Sequence, residues 1–274
     1  MRAQLPWLFL WLPALAAAAP PGQPESATGF RDLTVVRAEN RMVATANPHA
    51  TKAGLEILQA GGSAVDAAIA AELVLGLVEP QSSGIGGGGF LLAYDAKSKK
   101  IRGYDGRETA PARVDPAQFI GADGKPAAFM DAVIGGQSVG TPGLIRLLAL
   151  THQKHGKLPW KALFQPAIRL AREGFPISPR LESLLGIVAP MLLGMEPAAT
   201  YFYANARPKP AGTLLTNPEL ATTLEQIAAR GQQAFYSGPI ARDIVGAVRN
   251  AKKRPGTLSI TDLLRYRAHP RDPV

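Results

Sequence analysis

The sequence predicts an α+β fold in which helices dominate and a single β-hairpin is the main sheet element. Two observations carry this expectation. Apolar residues recur at helical spacing from Asn47 to Arg265, repeatedly preceded by helix-starting residues. Between Gly84 and Pro111, a run of glycines leads into two short strand patterns about a polar turn. A third observation removes an alternative. Gly84-Ile85-Gly86-Gly87-Gly88-Gly89 matches G-x-G-x-x-G, but a dinucleotide site needs a strand before the glycines and a helix after them. Here the order is reversed. The glycines therefore read as a tight helix-to-strand connection, whose backbone takes positive φ or lies close against a neighbour.

In chain order, Met42 to Thr45 is a short strand candidate. Asn47 stands as an N-cap with Pro48 at the first helical position, and Ala50, Ala53, Gly54, Ile57 and Leu58 share one helical face. Gly61-Gly62 ends that helix. Ser63 with Asp66 resembles a capping box for a second, Ala64 to Val78, which is apolar nearly all round apart from Asp66 and Glu72. Such a helix, too short to cross a bilayer, belongs in a core. Pro80 stops it before the glycines. Phe90 to Tyr94 reads as a buried strand, Asp95 to Lys100 as a turn, and Ile101 to Tyr104 as the hairpin partner. The partner strand delivers Asp105-Gly106-Arg107-Glu108-Thr109 at a sheet end.

Pro111 to Gly140 is rich in Gly, Pro and Asp and is expected to be irregular. Thr141-Pro142-Gly143 starts a helix to about Lys154, with His152 and His155 as surface residues. Pro159 opens an amphipathic helix with Trp160, Leu163, Phe164, Ala167, Ile168 and Ala171 on one face, closed by Gly174. A further helix is expected from Pro179 to about Leu193. Tyr201-Phe202-Tyr203 with Arg207 and Lys209 reads as a surface loop that packs its aromatics on the body. Thr216 and Glu219 form a capping box ahead of a helix ending at Gly231. Pro239 opens a helix carrying Ile240, Ile244 and Val248, and Ser259 with Asp262 caps a last short one.

A chain of 274 residues holds one large domain or two ordinary ones, and 46% hydrophobic against 19% charged residues supports a sizeable core. The absence of cysteine excludes disulfides, zinc–thiolate sites and a thiol nucleophile. The formal charge of +9 is spread along the chain, and its densest run, Lys252-Lys253-Arg254, has no interleaved aromatics. That describes a solvated basic surface and no nucleic-acid partner. His152 and His155 lie three apart but lack further ligands at useful spacing, and His49 and His269 are isolated, so no metal site is expected. Met1 to Ala19 has the charged start, apolar middle and small-residue end of a signal peptide. Residues 20–41 read as a flexible spacer and lead-in, and 42–274 as the folded portion. An exported protein is expected, periplasmic or extracellular, with no membrane association after the signal is cut.

GIGGGGF followed by a strand and DGRETAP resembles the large-subunit region of the γ-glutamyltransferases, also called γ-glutamyltranspeptidases or glutathione hydrolases. MVATANPHATKAGLEILQAGGSAVDAAIAAELVLGLVEPQSS, SVGTPGLIRLLA, GKLPWKALFQPAIRLAREGFPIS and TLSITDLLRYRA are similar to successive blocks of that family, in order from about Met42 to Val274. The resemblance implies an N-terminal-nucleophile hydrolase, an αββα sandwich of which this chain is the helix-rich N-terminal, large-subunit part. It implies a precursor that cuts itself, freeing a threonine at the start of the small subunit. That threonine attacks the γ-glutamyl amide of glutathione or a similar compound, and the γ-glutamyl group passes to water or an amino acid. A hydroxyl nucleophile activated by its own α-amine needs neither metal nor cofactor.

The resemblance places that nucleophile past Val274, on a small subunit cut from the same precursor, so no catalytic residue is expected in this chain. Thr109 and Thr141 lie inside the chain with their amines tied up in peptide bonds. Substrate recognition is what remains. From spacing alone, Arg107 reads equally as a site arginine or as a surface arginine paired with Asp105 or Glu108. A planar guanidinium offers two parallel N–H bonds to a carboxylate and keeps its charge at any relevant pH. The resemblance matches Arg107 to the arginine that holds the α-carboxylate of the γ-glutamyl group. Two functions follow: the N-terminal part of an exported γ-glutamyl hydrolase/transferase, inactive alone, or a catalytically silent protein binding γ-glutamyl or amino-acid ligands.

Overall fold

Asn47 starts the first helix through its side-chain oxygen, which accepts from the His49 N–H at 3.0 Å, and Pro48 takes N1, giving α1 (Pro48–Gln59). A computed structural model describes residues 35–121 and 123–273, so the expected signal peptide and most of the spacer lie outside the described residues. The Met42–Thr45 strand is not found. Val43 instead lies over α1, where a methyl group on Gly54 would sit 2.8 Å from it, and the Arg41 guanidinium donates to Leu58 O at 2.8 Å. This segment is held by the helix surface, with no strand partner among the described residues.

The capping box at Ser63 and Asp66 is formed as expected and opens α2 (Ala64–Val78). Ten residues of α2 are buried, and it touches helices on several sides, which is why its sequence has no polar face. Fully buried Ile69 and Leu73 each contribute roughly 1.5–3 kcal/mol. Asp66 is wholly buried, and its Oδ2 also accepts from the Lys157 and Leu158 N–H groups at 2.8 and 3.1 Å. One carboxylate thus caps α2 and fixes a loop far along the chain.

After the glycines, β1 (Phe90–Asp95) and β2 (Lys100–Asp105) form the expected antiparallel hairpin, in the register Leu91↔Tyr104. The expected burial of β1 is corrected. Phe90, Leu92 and Tyr94 are 66%, 71% and 63% exposed, while Leu91 and Ala93 between them are half-buried against the core. Strand side chains alternate between faces, and only one face of this sheet meets helices. On that face Tyr104 is buried, with its hydroxyl 2.6 Å from His155 Nε2.

Among its described residues the irregular stretch carries α3 (Phe129–Val133), an isolated bridge between Ile120 and Pro126, and a 3₁₀ turn before α4 (Leu144–His155). Its two histidines are half-buried and engaged, contrary to the surface expectation: His155 meets Tyr104, and His152 Nε2 donates to Leu158 O at 2.8 Å. The helix expected from Pro159 is two, α5 (Trp160–Leu163) and α6 (Gln165–Glu173). Pro166 has no N–H to offer the carbonyl of Ala162 and its ring crowds that carbonyl, so the helix breaks at Phe164. The apolar face survives the break: Leu163, Phe164, Ala167, Ile168 and Ala171 are all buried.

The short strand β3 (Phe175–Pro176) leads to α7 (Pro179–Leu192), capped by Ser178. The aromatic–basic stretch does pack on the body, with the Tyr203 hydroxyl donating to Leu185 O at 2.7 Å. It is not a loop, however, but α8 (Ala198–Phe202) followed by the small hairpin β4 (Tyr203–Ala204) and β5 (Arg207–Pro208). β6 (Leu214–Leu215) pairs with β3. The cap of α9 (Pro218–Arg230) is Asn217 rather than Thr216, its Oδ1 accepting from Leu220 N–H at 2.9 Å. Pro218 at N1 fixes that register.

α10 (Gln233–Tyr236) and α11 (Gly238–Arg249) follow. The fully buried side of α11 is Ala241, Val245 and Val248, with Ile240 and Ile244 at its edge. Ser259 and Asp262 cap α12 (Ile260–Arg265) as expected. The last strand, β7 (His269–Arg271), returns to pair antiparallel with β2, completing a sheet of order β1-β2-β7.

Candidate functional site

Arg107 follows β2 at the point where three segments converge. The backbone of Gly106 prolongs the hairpin by pairing with Gly89, its N–H donating to Gly89 O at 2.9 Å and its carbonyl accepting at 3.3 Å. The carbonyl of Gly87 accepts from the N–H groups of Gly143 and Leu144 at 2.9 and 3.0 Å, so the glycine run caps the start of α4. These approaches need missing side chains. A methyl on Gly88 would fall 2.8 Å from Glu108 Oε2, and one on Gly143 would fall 2.7 Å from Tyr266 Cζ. No glycine of the 84–89 run has positive φ, and of the run only Gly88 is so closely packed that a side chain would clash.

Both peptide groups of Arg107 are held. Its N–H donates to Asp105 Oδ1 at 2.9 Å, and its carbonyl accepts from the Tyr266 hydroxyl at 2.7 Å. Asp105 Oδ2 takes two bonds from Arg271 on β7, at 2.9 and 3.1 Å. The Arg107 N–H, and after it Arg271, keep the Asp105 carboxyl below the usual carboxylate range. The Arg107 side chain is 71% exposed, with Nε 3.2 Å from Glu108 Oε2. Among the described residues its two terminal nitrogens make no protein hydrogen bond. Of the two partners that spacing allowed, Glu108 meets the side chain and Asp105 meets the backbone.

Tyr266 is buried at the end of α12 and stacks on Tyr236, with ring centroids 6.3 Å apart and planes 5° from parallel. Burial first, then the charges of Asp105 and Glu108, push its hydroxyl up to about 12, so it stays protonated and donates. Tyr236 donates to Pro142 O at 3.0 Å and accepts from the Arg146 N–H at 3.2 Å, with the Arg146 guanidinium 4.3 Å over its ring. Beside this column a cleft of about 390 Å³ is lined by Thr109, Thr141, Asp262, Arg265, Tyr266 and Arg267 among others. Thr109 and Thr141 meet as a β-bridge, with Thr141 N–H on Thr109 O at 2.8 Å. Neither has a free amine.

A family model described as γ-glutamyltranspeptidase matches residues 50–274. The chain belongs to that family. It is 37% identical over 238 residues to glutathione hydrolase 3 of Arabidopsis thaliana, covering 87% of this chain and 36% of the relative. It is 36% identical over 243 residues to the glutathione hydrolase proenzyme of Bacillus subtilis, covering 89% of this chain and 40% of the relative. The chain thus spans about two fifths of the length of these curated relatives. The crystal structure of Helicobacter pylori γ-glutamyltranspeptidase superposes with a TM-score of 0.82 at 28% identity, over 88% of this chain and 68% of that one. The fold is that of the N-terminal-nucleophile hydrolases, and the chain covers the helix-rich N-terminal, large-subunit portion.

Sequence reasoning singled out Arg107, with Asp105 and Glu108 as possible partners, but not Tyr266 or Arg271. Tyr266 lies 159 positions away just past a short helix, and Arg271 lies 166 positions from Asp105 on a strand of three residues. No local pattern marks either one.

Proposed function

We propose that this γ-glutamyltranspeptidase-family chain is the substrate-recognising N-terminal part of an enzyme that cleaves γ-glutamyl amides such as glutathione. The γ-glutamyl group passes through a threonine ester to water or to an acceptor amino acid. The observation that carries this reading is the presentation of Arg107: an exposed guanidinium with both terminal nitrogens unclaimed among the described residues, on a backbone tied down on both sides. That fork matches a carboxylate in two parallel bonds, and the α-carboxylate of a γ-glutamyl group is the ligand we assign to it. The Glu108 carboxylate lies 3.2 Å from Nε, beside that fork. The names of the relatives, glutathione hydrolases, agree with this substrate class.

The nucleophile in this reading is the first residue of a small subunit released from the same precursor, where a free α-amine serves as base. Residues 1–274 alone then hold no group able to attack, Thr109 and Thr141 being chain-internal. The chain divides in this reading into a signal peptide over 1–19, a spacer to 41, and the large-subunit portion from 42. No helix among the described residues is long and apolar enough to cross a membrane. Export is checked by the mass of the secreted protein, which starts near Pro20 if the signal is cut and retains Met1 or Arg2 if it is not.

Two measurements test the activity. Residues 1–274 alone are expected to release no p-nitroaniline from γ-glutamyl-p-nitroanilide, while the same residues within a full-length precursor release it. In the full-length enzyme, converting the substrate's α-carboxylate to its methyl ester is expected to lower kcat/KM by roughly thirtyfold or more. That is the lower end of about 2–5 kcal/mol for breaking a charge-assisted pair in a site. Turnover by residues 1–274 alone would overturn the inactivity claim, and an ester cleaved within about threefold of the acid would overturn carboxylate recognition.

A further inference from the structure

We propose that Tyr266 is a positioning residue for Arg107, acting through the backbone and not through the substrate. This rests on the carboxylate reading of Arg107 given above. Asp105 fixes the N–H of Arg107 at 2.9 Å and the Tyr266 hydroxyl fixes its carbonyl at 2.7 Å. With the peptide groups on both sides of its Cα tied, the direction of the Arg107 Cα–Cβ bond is set. Only side-chain torsions remain to be ordered when a carboxylate binds, and a group ordered in advance loses less entropy on binding.

The tyrosine is suited to this. It is 6% exposed and its ring is stacked on Tyr236. Tyr236 in turn is pinned by Pro142 O and Arg146 at the start of α4. The same helix start is capped by the Gly87 carbonyl. Gly143 lies so close that any side chain there would displace the phenol. The hydroxyl therefore has one place to donate, and the Arg107 carbonyl is in it. Being donated to the backbone, it leaves the guanidinium free for a ligand.

The test is Tyr266→Phe in the full-length enzyme, which keeps the ring and its stack and removes one oxygen. KM for γ-glutamyl-p-nitroanilide is expected to rise about three- to tenfold, the size of one hydrogen bond, with kcat within twofold. Against the α-methyl ester, which gives Arg107 no carboxylate to hold, Tyr266→Phe is expected to change nothing. Added to Arg107→Ala, it is expected to cost nothing more, because the group it positions is gone. A loss that is equal for acid and ester, or that adds fully to that of Arg107→Ala, makes Tyr266 a structural residue and overturns the proposal, as does an unchanged KM. If Arg107→Ala itself has no effect, the carboxylate reading falls and this one falls with it. If Arg107→Ala is harmful while Tyr266→Phe is silent, only the positioning claim fails.

Discussion

Gly143→Ala is expected to destabilise the full-length protein by about 3 kcal/mol, at the upper end of what overpacking a core position costs. Gly143 has φ −117°, which any residue adopts, so backbone strain is not the reason. Space is. The added methyl would meet the carbonyl of Gly106 and the Tyr266 ring, with Cζ only 2.7 Å away. Neither can yield cheaply, since Gly106 is hydrogen-bonded to Gly89 and Tyr266 is clamped between Tyr236 and the Arg107 carbonyl. In a full-length enzyme of about 600 residues that unfolds as one unit, this lowers the melting temperature by about 2–3 °C. A control separates space from propensity: Gly186 in α7 has nothing within 4 Å, and Gly186→Ala is expected to be neutral or stabilising by about 0.5–1 kcal/mol. A Gly143→Ala protein that melts like the parent would show that the three segments around Arg107 are not packed as described.

Arg107→Ala is expected to lower kcat/KM for γ-glutamyl-p-nitroanilide by roughly thirtyfold or more, with self-cleavage and melting temperature largely kept. Arg107→Lys keeps the charge but loses the two-pronged geometry and is expected to fall between alanine and the parent. The prediction of unchanged stability follows from exposure. The ion pair to Glu108 involves a side chain that is 71% accessible, and solvent-exposed pairs contribute about 0–1 kcal/mol. The backbone bonds to Asp105 and Tyr266 do not depend on the side chain and survive the substitution. An alanine variant within about threefold of the parent, or one that blocks maturation, would make Arg107 a structural residue.

The parts of this fold legible in the sequence are those whose partners lie within a turn of each other. The caps at Asn47, Ser63 and Ser259 each join groups two or three residues apart, and each forms as its sequence suggests. Thr216 failed because two capping residues stood side by side and Pro218 at N1 decided for Asn217. The break at Phe164 was hidden because the apolar face keeps its phase through it. The strand Phe90 to Tyr94 read as buried because five apolar residues in a row do not say which face is covered. The site followed the same rule. Arg107 stood out through its motif, whereas Tyr266 and Arg271 reach it across more than half the chain and leave no mark near it.

The order of the three-stranded sheet bears on how the chain is made. β2 lies in the middle, its first neighbour a hairpin turn away and its second at the far end, so that Asp105 waits 166 positions for Arg271. Translation proceeds at about 5–20 residues per second, which leaves roughly 10–30 s between the appearance of the central strand and that of β7. Throughout that interval the nascent hairpin shows an open edge on β2, while the side formed by Phe90, Leu92 and Tyr94 is exposed even with β7 in place. The backbone that carries Arg107 takes the shape described above only once Tyr266 and Arg271 have joined the growing chain.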